Sequence, residues 1–212
     1  MLEIRNATLA IPGRTLLKPF SLAVAAGEIV TLMGPSGSGK SSLLSYIGGD
    51  LDHTLQASGD IVLNGVPLNG VPPHRRRIGR LFQDDLLFPH MTVGENLLFA
   101  IASPQDRLPK MRAALESVQL GGFKDRPPHT LSGGQRARVS LMRTLLSEPL
   151  AVLLDEPFNK LDAKLRASVR DLTFQHITSR NIPALLVTHD AGDAPSKGRV
   201  LMISDDGSVQ HV

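Results

Sequence analysis

Apolar and polar residues alternate in short runs through the first third of the chain. The runs cover residues 2–9, 20–24 and 28–33, and the turn-forming pairs Pro12-Gly13 and Ala26-Gly27 separate them. Alternation of this period, bounded by glycine and proline, is typical of short strands. We therefore predict a β-rich subdomain, partly antiparallel, at the start of the chain.

The pattern then changes from strand to helix. A helix is predicted over residues 40–48, and two consecutive glycines are expected to end it. Strands are again indicated over residues 60–63 and 77–82. Residues 84–130 combine helical periodicity with several prolines, so we expect them to form an inserted helical subdomain.

Helices and strands alternate in the last part of the chain. The predicted elements are a helix over residues 133–147, a buried strand over 151–154, a helix capped by Asp162, a strand over 184–187 and a terminal piece over 199–212. Such alternation favours an α/β fold with a mostly parallel sheet covered on both faces. Ligands of such sheets bind at the carboxyl ends of the strands.

The composition is that of an ordinary globular protein. The chain has 212 residues, 42% hydrophobic and 20% charged, and we predict a single domain over residues 1–212. Its longest apolar runs are of strand length, far below the roughly 20 residues that cross a bilayer. The first residues include Glu3 and no apolar stretch of signal-peptide length, so we expect cytoplasmic residence.

Charge and cysteine content exclude several other classes. The formal net charge is +3, and much of the basic excess lies in residues 74–77, with Arg80 close behind. We interpret this run as a solvated basic loop, because a nucleic-acid surface would need a broader stripe with interleaved aromatics, which make up only 4% of the chain. No nucleic-acid partner is expected. The absence of cysteine excludes disulfides and thiolate metal sites.

The strand predicted over residues 28–33 leads into a glycine-rich loop suited to phosphate. The loop matches the pattern G-x-x-x-x-G-K-[ST] with Gly34, Pro35, Ser36, Gly37, Ser38, Gly39, Lys40 and Ser41. Inward-pointing N–H groups and the start of the next helix would hold a polyphosphate. We expect Lys40 to reach the β- and γ-phosphates, Ser41 to ligate Mg²⁺ and Ser42 to contact the α-phosphate. Kinases, GTPases and motor ATPases all share this motif.

A second group of motifs narrows the class. Residues 131–136 read Leu-Ser-Gly-Gly-Gln-Arg, and residues 151–157 read Ala-Val-Leu-Leu-Asp-Glu-Pro. At this point the chain resembles the ABC ATPase family, with its signature and Walker B motifs. Gln83 resembles the Q-loop, residues 159–162 the D-loop and His189 the switch histidine. The resemblance covers essentially the whole chain and implies a P-loop NTPase core of the RecA type with an inserted ABC helical subdomain.

The resemblance implies a role for each motif residue. Asp155 would hold Mg²⁺ through its water shell, and Gln83 would join that shell through its side-chain carbonyl. Glu156 would be the base that polarises the attacking water, and His189 would bond the γ-phosphate and the water. Lys40 and His189 would help Mg²⁺ to neutralise charge on the transferred group.

The signature residues imply a partner. Ser132, Gly133, Gly134 and Gln135 stand at a predicted helix start, which is an anion-binding end. In the family this end closes over the γ-phosphate held by a second copy, so that two ATP molecules are sandwiched between two chains. A homodimer is therefore implied, in which ATP binding drives closure and hydrolysis permits reopening.

The segment after the Q-loop implies a membrane partner. Residues 86–96 closely resemble the part of importer-type ABC ATPases that receives a coupling helix from the membrane subunit. Transmembrane permease subunits, and a solute-binding protein in an importer, are thus expected partners at the cytoplasmic face of the inner or plasma membrane. Two alternatives stay open: the apolar side chains here are ordinary core, or the chain is a soluble ABC ATPase of nucleic-acid repair or translation.

Two positions depart from the family pattern. An aromatic residue that stacks on adenine commonly stands where this chain has Ile11, which puts stacking in doubt and predicts loose base selectivity. The D-loop commonly begins Ser-Ala where this chain has Asn159 and Lys160, which bears on communication across the dimer.

Overall fold

The computed structural model describes residues 1–212, which form ten strands and five α-helices. The strands are β1 (Leu2–Ile11), β2 (Arg14–Val24), β3 (Ile29–Met33), β4 (Gln56–Leu63), β5 (Val66–Pro67), β6 (Ile78–Leu81), β7 (Ala151–Asp155), β8 (Ala184–Val187), β9 (Val200–Ile203) and β10 (Val209–His211). The helices are α1 (Lys40–Gly48), α2 (Val93–Ala100), α3 (Arg107–Ser117), α4 (Gly133–Leu146) and α5 (Ala163–Ser179). None of these helices is long and apolar enough to span a membrane.

The strands form two sheets. The first has the order β2-β1-β4-β5 and is antiparallel, and the second has the order β10-β9-β3-β8-β7-β6. In the second sheet β3 runs parallel to both β8 and β9, and β7 runs parallel to β8. Both the N-terminal antiparallel region and the mostly parallel sheet predicted from the sequence are therefore confirmed.

Contacts divide the chain into two compact units. Unit 1 comprises Met1–Arg80, Leu150–Glu156 and Ile177–Val212, and unit 2 comprises Leu81–Pro149 and Pro157–His176. Unit 1 contains both sheets apart from Leu81, the last residue of β6. Every residue of β7 and β8 is buried, as expected for strands covered on both faces. Unit 2 contains α2, α3 and α4. The extent of the helical subdomain proposed for residues 84–130 stays a prediction.

The first hairpin is longer than its hydrophobic pattern indicates. The pattern predicts a strand over residues 20–24, whereas β2 begins at Arg14, which pairs with Ile11 across the turn. Gly13 has a φ of 79° in this turn, a conformation that glycine adopts without strain. Antiparallel pairing with β1 therefore extends the strand beyond the alternating residues.

The basic run is not a solvated loop throughout, and that prediction is wrong for Arg76. Only 8% of Arg76 is exposed, and its guanidinium donates to three carbonyls. Nη1 bonds Tyr46 O at 3.1 Å and Ile47 O at 2.7 Å, and Nε bonds Val71 O at 2.7 Å. A cation at the carbonyl end of α1 also suits the helix dipole, so this side chain anchors the end of that helix.

Candidate functional site

The glycine-rich loop joins β3 to α1 within unit 1. Three of its glycines have positive φ: Gly34 at 153°, Gly37 at 76° and Gly39 at 94°. A Cβ at Gly34 would lie 2.9 Å from Ile203 O, and one at Gly39 would lie 3.2 Å from Leu16 Cβ. Both the backbone conformation and the close approach of Ile203 and Leu16 therefore favour glycine at these two positions.

Lys40 folds back over this loop. Its Nζ donates to Gly34 O at 2.7 Å and to Pro35 O at 2.8 Å. The pKa of Lys40 is lowered, because burial outweighs the opposing effect of the negative charges of Glu156 and Asp155. Lys40 thus lies within the electrostatic reach of both acids.

The loop also contains an unsatisfied polar atom. Ser38 is 7% exposed, and its Oγ is buried without a hydrogen-bond partner. A buried hydroxyl of this kind is costly unless something bonds it. A phosphate oxygen would satisfy it, so the residues present fit a bound nucleotide.

Asp155 and Ser41 supply two oxygen ligands at one place. Asp155 ends β7 and is 4% exposed. The pKa of Asp155 is raised, because burial outweighs the opposing effects of a hydrogen bond with Ser41 and of the charges of Arg80 and Lys40. A carboxylate and a hydroxyl in contact are the hard ligands that Mg²⁺ prefers, so the pair fits this ion.

Glu156 and His189 are brought together by the ends of neighbouring strands. Glu156 leaves β7 with a φ of 48°, and its N–H donates to Val187 O at 2.9 Å. Its Oε1 lies 2.8 Å from Nδ1 of His189, just beyond β8. The Glu156 side chain is 13% exposed and that of His189 is 69% exposed, so the acid is sheltered and the ring faces solvent.

A buried hydroxyl supports this pair and could not be recognised from the sequence. Thr188 is fully buried, and its Oγ1 donates to Asp193 Oδ2 at 3.0 Å, with Glu156 Oε2 at 3.4 Å. Asp193 is itself only 1% exposed. A hydroxyl and a carboxyl buried close behind a motif can be recognised only once the chain is folded.

The signature residues begin α4 in unit 2. Ser132 is the N-cap: its Oγ accepts from the N–H of Gln135 at 3.3 Å, and Gln135 Oε1 accepts from the N–H of Ser132 at 2.8 Å. This reciprocal arrangement is a capping box, which the spacing of serine and glutamine favours. Gly133 and Gly134 form the first turn, so the predicted helix start is confirmed.

The other motif residues of unit 2 lie in irregular segments. Gln83 is exposed, and its main-chain oxygen accepts from Lys160 Nζ at 2.8 Å. Asp162 caps α5 by accepting from the N–H of Leu165 at 3.1 Å, as predicted. Unit 1 thus contains Lys40, Ser41, Asp155, Glu156 and His189, whereas Gln83 and the signature residues belong to unit 2.

Ile11 lies at the end of β1 in unit 1 and is partly buried against its hydrophobic core. The position therefore carries an aliphatic side chain that packs inward in part.

Comparison with known proteins identifies the family. Residues 17–159 match the family model described as ABC transporter. The chain is 44% identical over 204 residues to the uncharacterized ABC transporter ATP-binding protein YnjD of Escherichia coli, covering 95% of this chain and 94% of that protein. It is 39% identical to the spermidine/putrescine import ATP-binding protein PotA of Nitrosospira multiformis and 40% identical to the putrescine transport ATP-binding protein PotG of Escherichia coli.

Coverage of these relatives differs. This chain spans 59% of the length of that PotA and 56% of that of PotG.

Among solved structures, the post-hydrolysis dimer of the ATP-binding cassette MJ0796 bound to ADP and Pi superposes with a TM-score of 0.86 at 30% identity, covering 100% of this chain and 98% of that one. The predicted P-loop NTPase fold class is confirmed. The chain belongs to the ABC transporter family, among its ATP-binding subunits.

Proposed function

We propose that this chain binds and hydrolyses ATP, with Mg²⁺, as the nucleotide-binding subunit of an ABC transporter, and that the transporter is an importer. The observation that carries the proposal is the meeting of five residues in unit 1. They come from the ends of the neighbouring strands β7 and β8 or from the start of α1, the helix after β3: Lys40, Ser41, Asp155, Glu156 and His189. Phosphoryl transfer needs mainly alignment and charge neutralisation, which these residues supply.

The loop residues and Lys40 hold the phosphates in this proposal. A phosphate oxygen would replace the two neutral carbonyls that Lys40 Nζ now contacts, and hydrogen bonds to a charged acceptor are stronger. Ser41 and Asp155 would hold Mg²⁺, which spreads positive charge over the phosphate oxygens when bound.

Glu156 is the proposed general base. His189 holds one of its carboxylate oxygens at 2.8 Å, which fixes the carboxylate while the other oxygen accepts a proton from water. We propose that His189 in turn bonds the γ-phosphate. Because the Glu156 side chain is sheltered from solvent, it is less hydrated, and the oriented carboxylate is a more effective general base.

Two copies are needed for the complete site. Ser132 Oγ caps α4 as an acceptor, so its hydrogen can still be donated to a phosphate, and the N–H groups of Gly133 and Gly134 lie at the positive end of the helix. We propose that this turn binds the γ-phosphate held by the other copy. Soluble ABC proteins are the alternative class, and the named relatives, which are transporter subunits, favour transport.

Unit 2 presents a surface suited to a permease. Phe99 is 63% exposed and Leu108 is 55% exposed, and both line a cavity of about 670 Å³ together with Met91 and Leu98. Exposed apolar side chains around a concave surface mark interaction sites. We propose that a permease segment docks here, which holds the chain at the membrane as a peripheral subunit on its cytoplasmic face.

Substitution of the base tests the proposal. Glu156→Gln keeps the shape of the side chain but cannot take a proton, so hydrolysis should fall about a hundredfold or more while ATP still binds. The variant should then elute as a dimer on a sizing column with ATP and Mg²⁺. The exposed Glu116→Gln serves as the control. A Glu156→Gln chain that stays monomeric with bound ATP would count against the sandwich.

A further inference from the structure

The chain between β6 and α2 is held by side chains rather than by a sheet or a helix. Residues 82–88, which include Gln83, form no regular element, and we refer to them as the Gln83 segment. Three cations of unit 2 contact it. Arg143 Nη2 donates to Leu86 O at 2.8 Å, Arg136 Nε lies 3.4 Å from Asp85 Oδ2, and Lys160 Nζ lies 3.2 Å from Asp85 Oδ1.

Lys160 holds this segment at two points. Besides its ion pair with Asp85, its Nζ donates to the main-chain oxygen of Gln83 at 2.8 Å. The Asp85 side chain is 12% exposed and that of Lys160 is 32% exposed, so water screens the pair only in part. The ammonium therefore fixes the backbone of Gln83 itself, and not merely a neighbouring side chain.

The backbone of Lys160 touches the signature turn. A Cβ at Gly134 would lie 2.9 Å from Lys160 O, closer than real Cβ atoms approach a carbonyl. The first turn of α4 is thus packed directly against residue 160. One residue contacts the signature turn with its carbonyl and the Gln83 segment with its side chain.

We infer that Lys160, with Asp85 as its counter-ion, is a positioning residue that ties Gln83 to the signature turn of the same subunit. Movement of the D-loop would then carry both motifs together. The alanine that the family commonly has at this position could make neither contact with the Gln83 segment. The inference rests on the proposed function, because it assigns a role in ATP hydrolysis to residues outside the nucleotide cradle, as we call the group Lys40, Ser41, Asp155, Glu156 and His189.

Two measurements on the full chain test this inference. Lys160→Met keeps the length of the stem and removes the charge, Lys160→Arg keeps a cation, and Lys164→Met is the matched control at an exposed lysine. Hydrogen–deuterium exchange of peptides covering residues 82–88 should rise in Lys160→Met alone. The kcat for ATP should fall by about fivefold or more, with KM within about twofold, and Lys160→Arg should restore most of the loss.

A double variant separates the pair from its surroundings. If Lys160 acts through Asp85, Lys160→Met combined with Asp85→Asn should be little worse than the more damaging single change, because the two share one interaction. Unchanged exchange and kcat in Lys160→Met, with an active wild-type chain, would overturn the inference and leave the proposed function standing. A wild-type chain that does not hydrolyse ATP would overturn the proposed function, and exchange would still report on the contact.

Discussion

The nucleotide cradle of unit 1 and the Gln83 segment of unit 2 are held in place by different forces. Asp155, Glu156 and His189 follow strands that are fixed by ladders of backbone hydrogen bonds to buried neighbours. The Gln83 segment has no such ladder and is held by side chains, namely Lys160, two arginines and, at Phe88, Asn96. Charged side chains are individually weaker and more mobile tethers than strands.

This difference matches what each region is proposed to do. A cradle that aligns phosphates gains from rigidity, because alignment is most of its contribution to the rate. Segments that report on a second subunit or a permease must shift between arrangements at small energetic cost. The comparison predicts that removing a tethering charge costs little stability where a strand ladder supports the same segment, and loosens the segment where no ladder does.

Removal of the cradle lysine should have the largest effect. Lys40→Ala deletes the cation that faces the phosphates without altering the loop glycines, so ATP turnover should fall by on the order of a hundredfold or more. Steady-state ATPase assays would measure this, with Lys197→Ala as an exposed control in the same unit. Hydrolysis at the wild-type rate would remove the cradle assignment.

Arg76 is the exception within unit 1, because a side chain rather than a strand completes α1. Arg76→Met should lower the free energy of unfolding by about 2 kcal/mol, since three buried or partly buried carbonyls each lose a hydrogen bond from the guanidinium. Urea denaturation would show this as an earlier midpoint, whereas Arg75→Met at the exposed neighbour should change little. Equal shifts in the two variants would mean that these bonds contribute no net stability.

A smaller effect is expected at the nucleotide base. Ile11→Tyr would place a ring where the family commonly stacks adenine, so ATP affinity should tighten by about 1 kcal/mol, roughly fivefold. Titration with a fluorescent ATP analogue would measure it, and GTP would show whether selectivity rises. An unchanged affinity would indicate that the base is held in another way.

The smallest effect should come from an ion pair that a strand ladder already supports. Glu28 precedes β3, and it accepts from Arg199 Nε at 2.6 Å and from the N–H of Ala25 at 2.7 Å. Partial burial raises the pKa of Glu28, but these bonds lower it to a net value below the ordinary 4.5. Glu28→Gln should cost less than about 1 kcal/mol, because both partners are partly exposed.

The pH dependence of that loss has a defined sign. A lowered pKa in the folded state means that Glu28 stabilises the fold above its ordinary pKa and that this stability disappears as the pH falls through the lowered pKa. The difference in the free energy of unfolding between wild type and Glu28→Gln should therefore be largest at pH 7 and should disappear in acid. A difference that grew on acidification would contradict the assigned bonds.

The sequence was sufficient for elements whose cause is local. The helix at α1 and the start of α4 follow from glycine, serine and glutamine at fixed spacing, and the bounds of α1 and β8 match the prediction. The length of β2 was not predictable in this way, because the pairing of Arg14 with Ile11, rather than alternation, determines where it begins.

Contacts between distant residues could not be predicted. Arg76 was interpreted as solvated because nothing in a run of arginines shows that one of them reaches carbonyls about thirty positions earlier. The pairing of Asp85 with Lys160 joins residues 75 positions apart. Motif matches named Gln83 and the D-loop separately, and only the folded chain shows that they touch.

The position of β3 in its sheet has a consequence for biosynthesis. Its partners are β8 and β9, which begin at Ala184 and Val200, long after β3 has been translated. A nascent chain that has left the ribosome only as far as β7 exposes both edges of β3, so the phosphate loop has no stable support. We expect this apolar strand to stay prone to aggregation until β8 and β9 have also been translated.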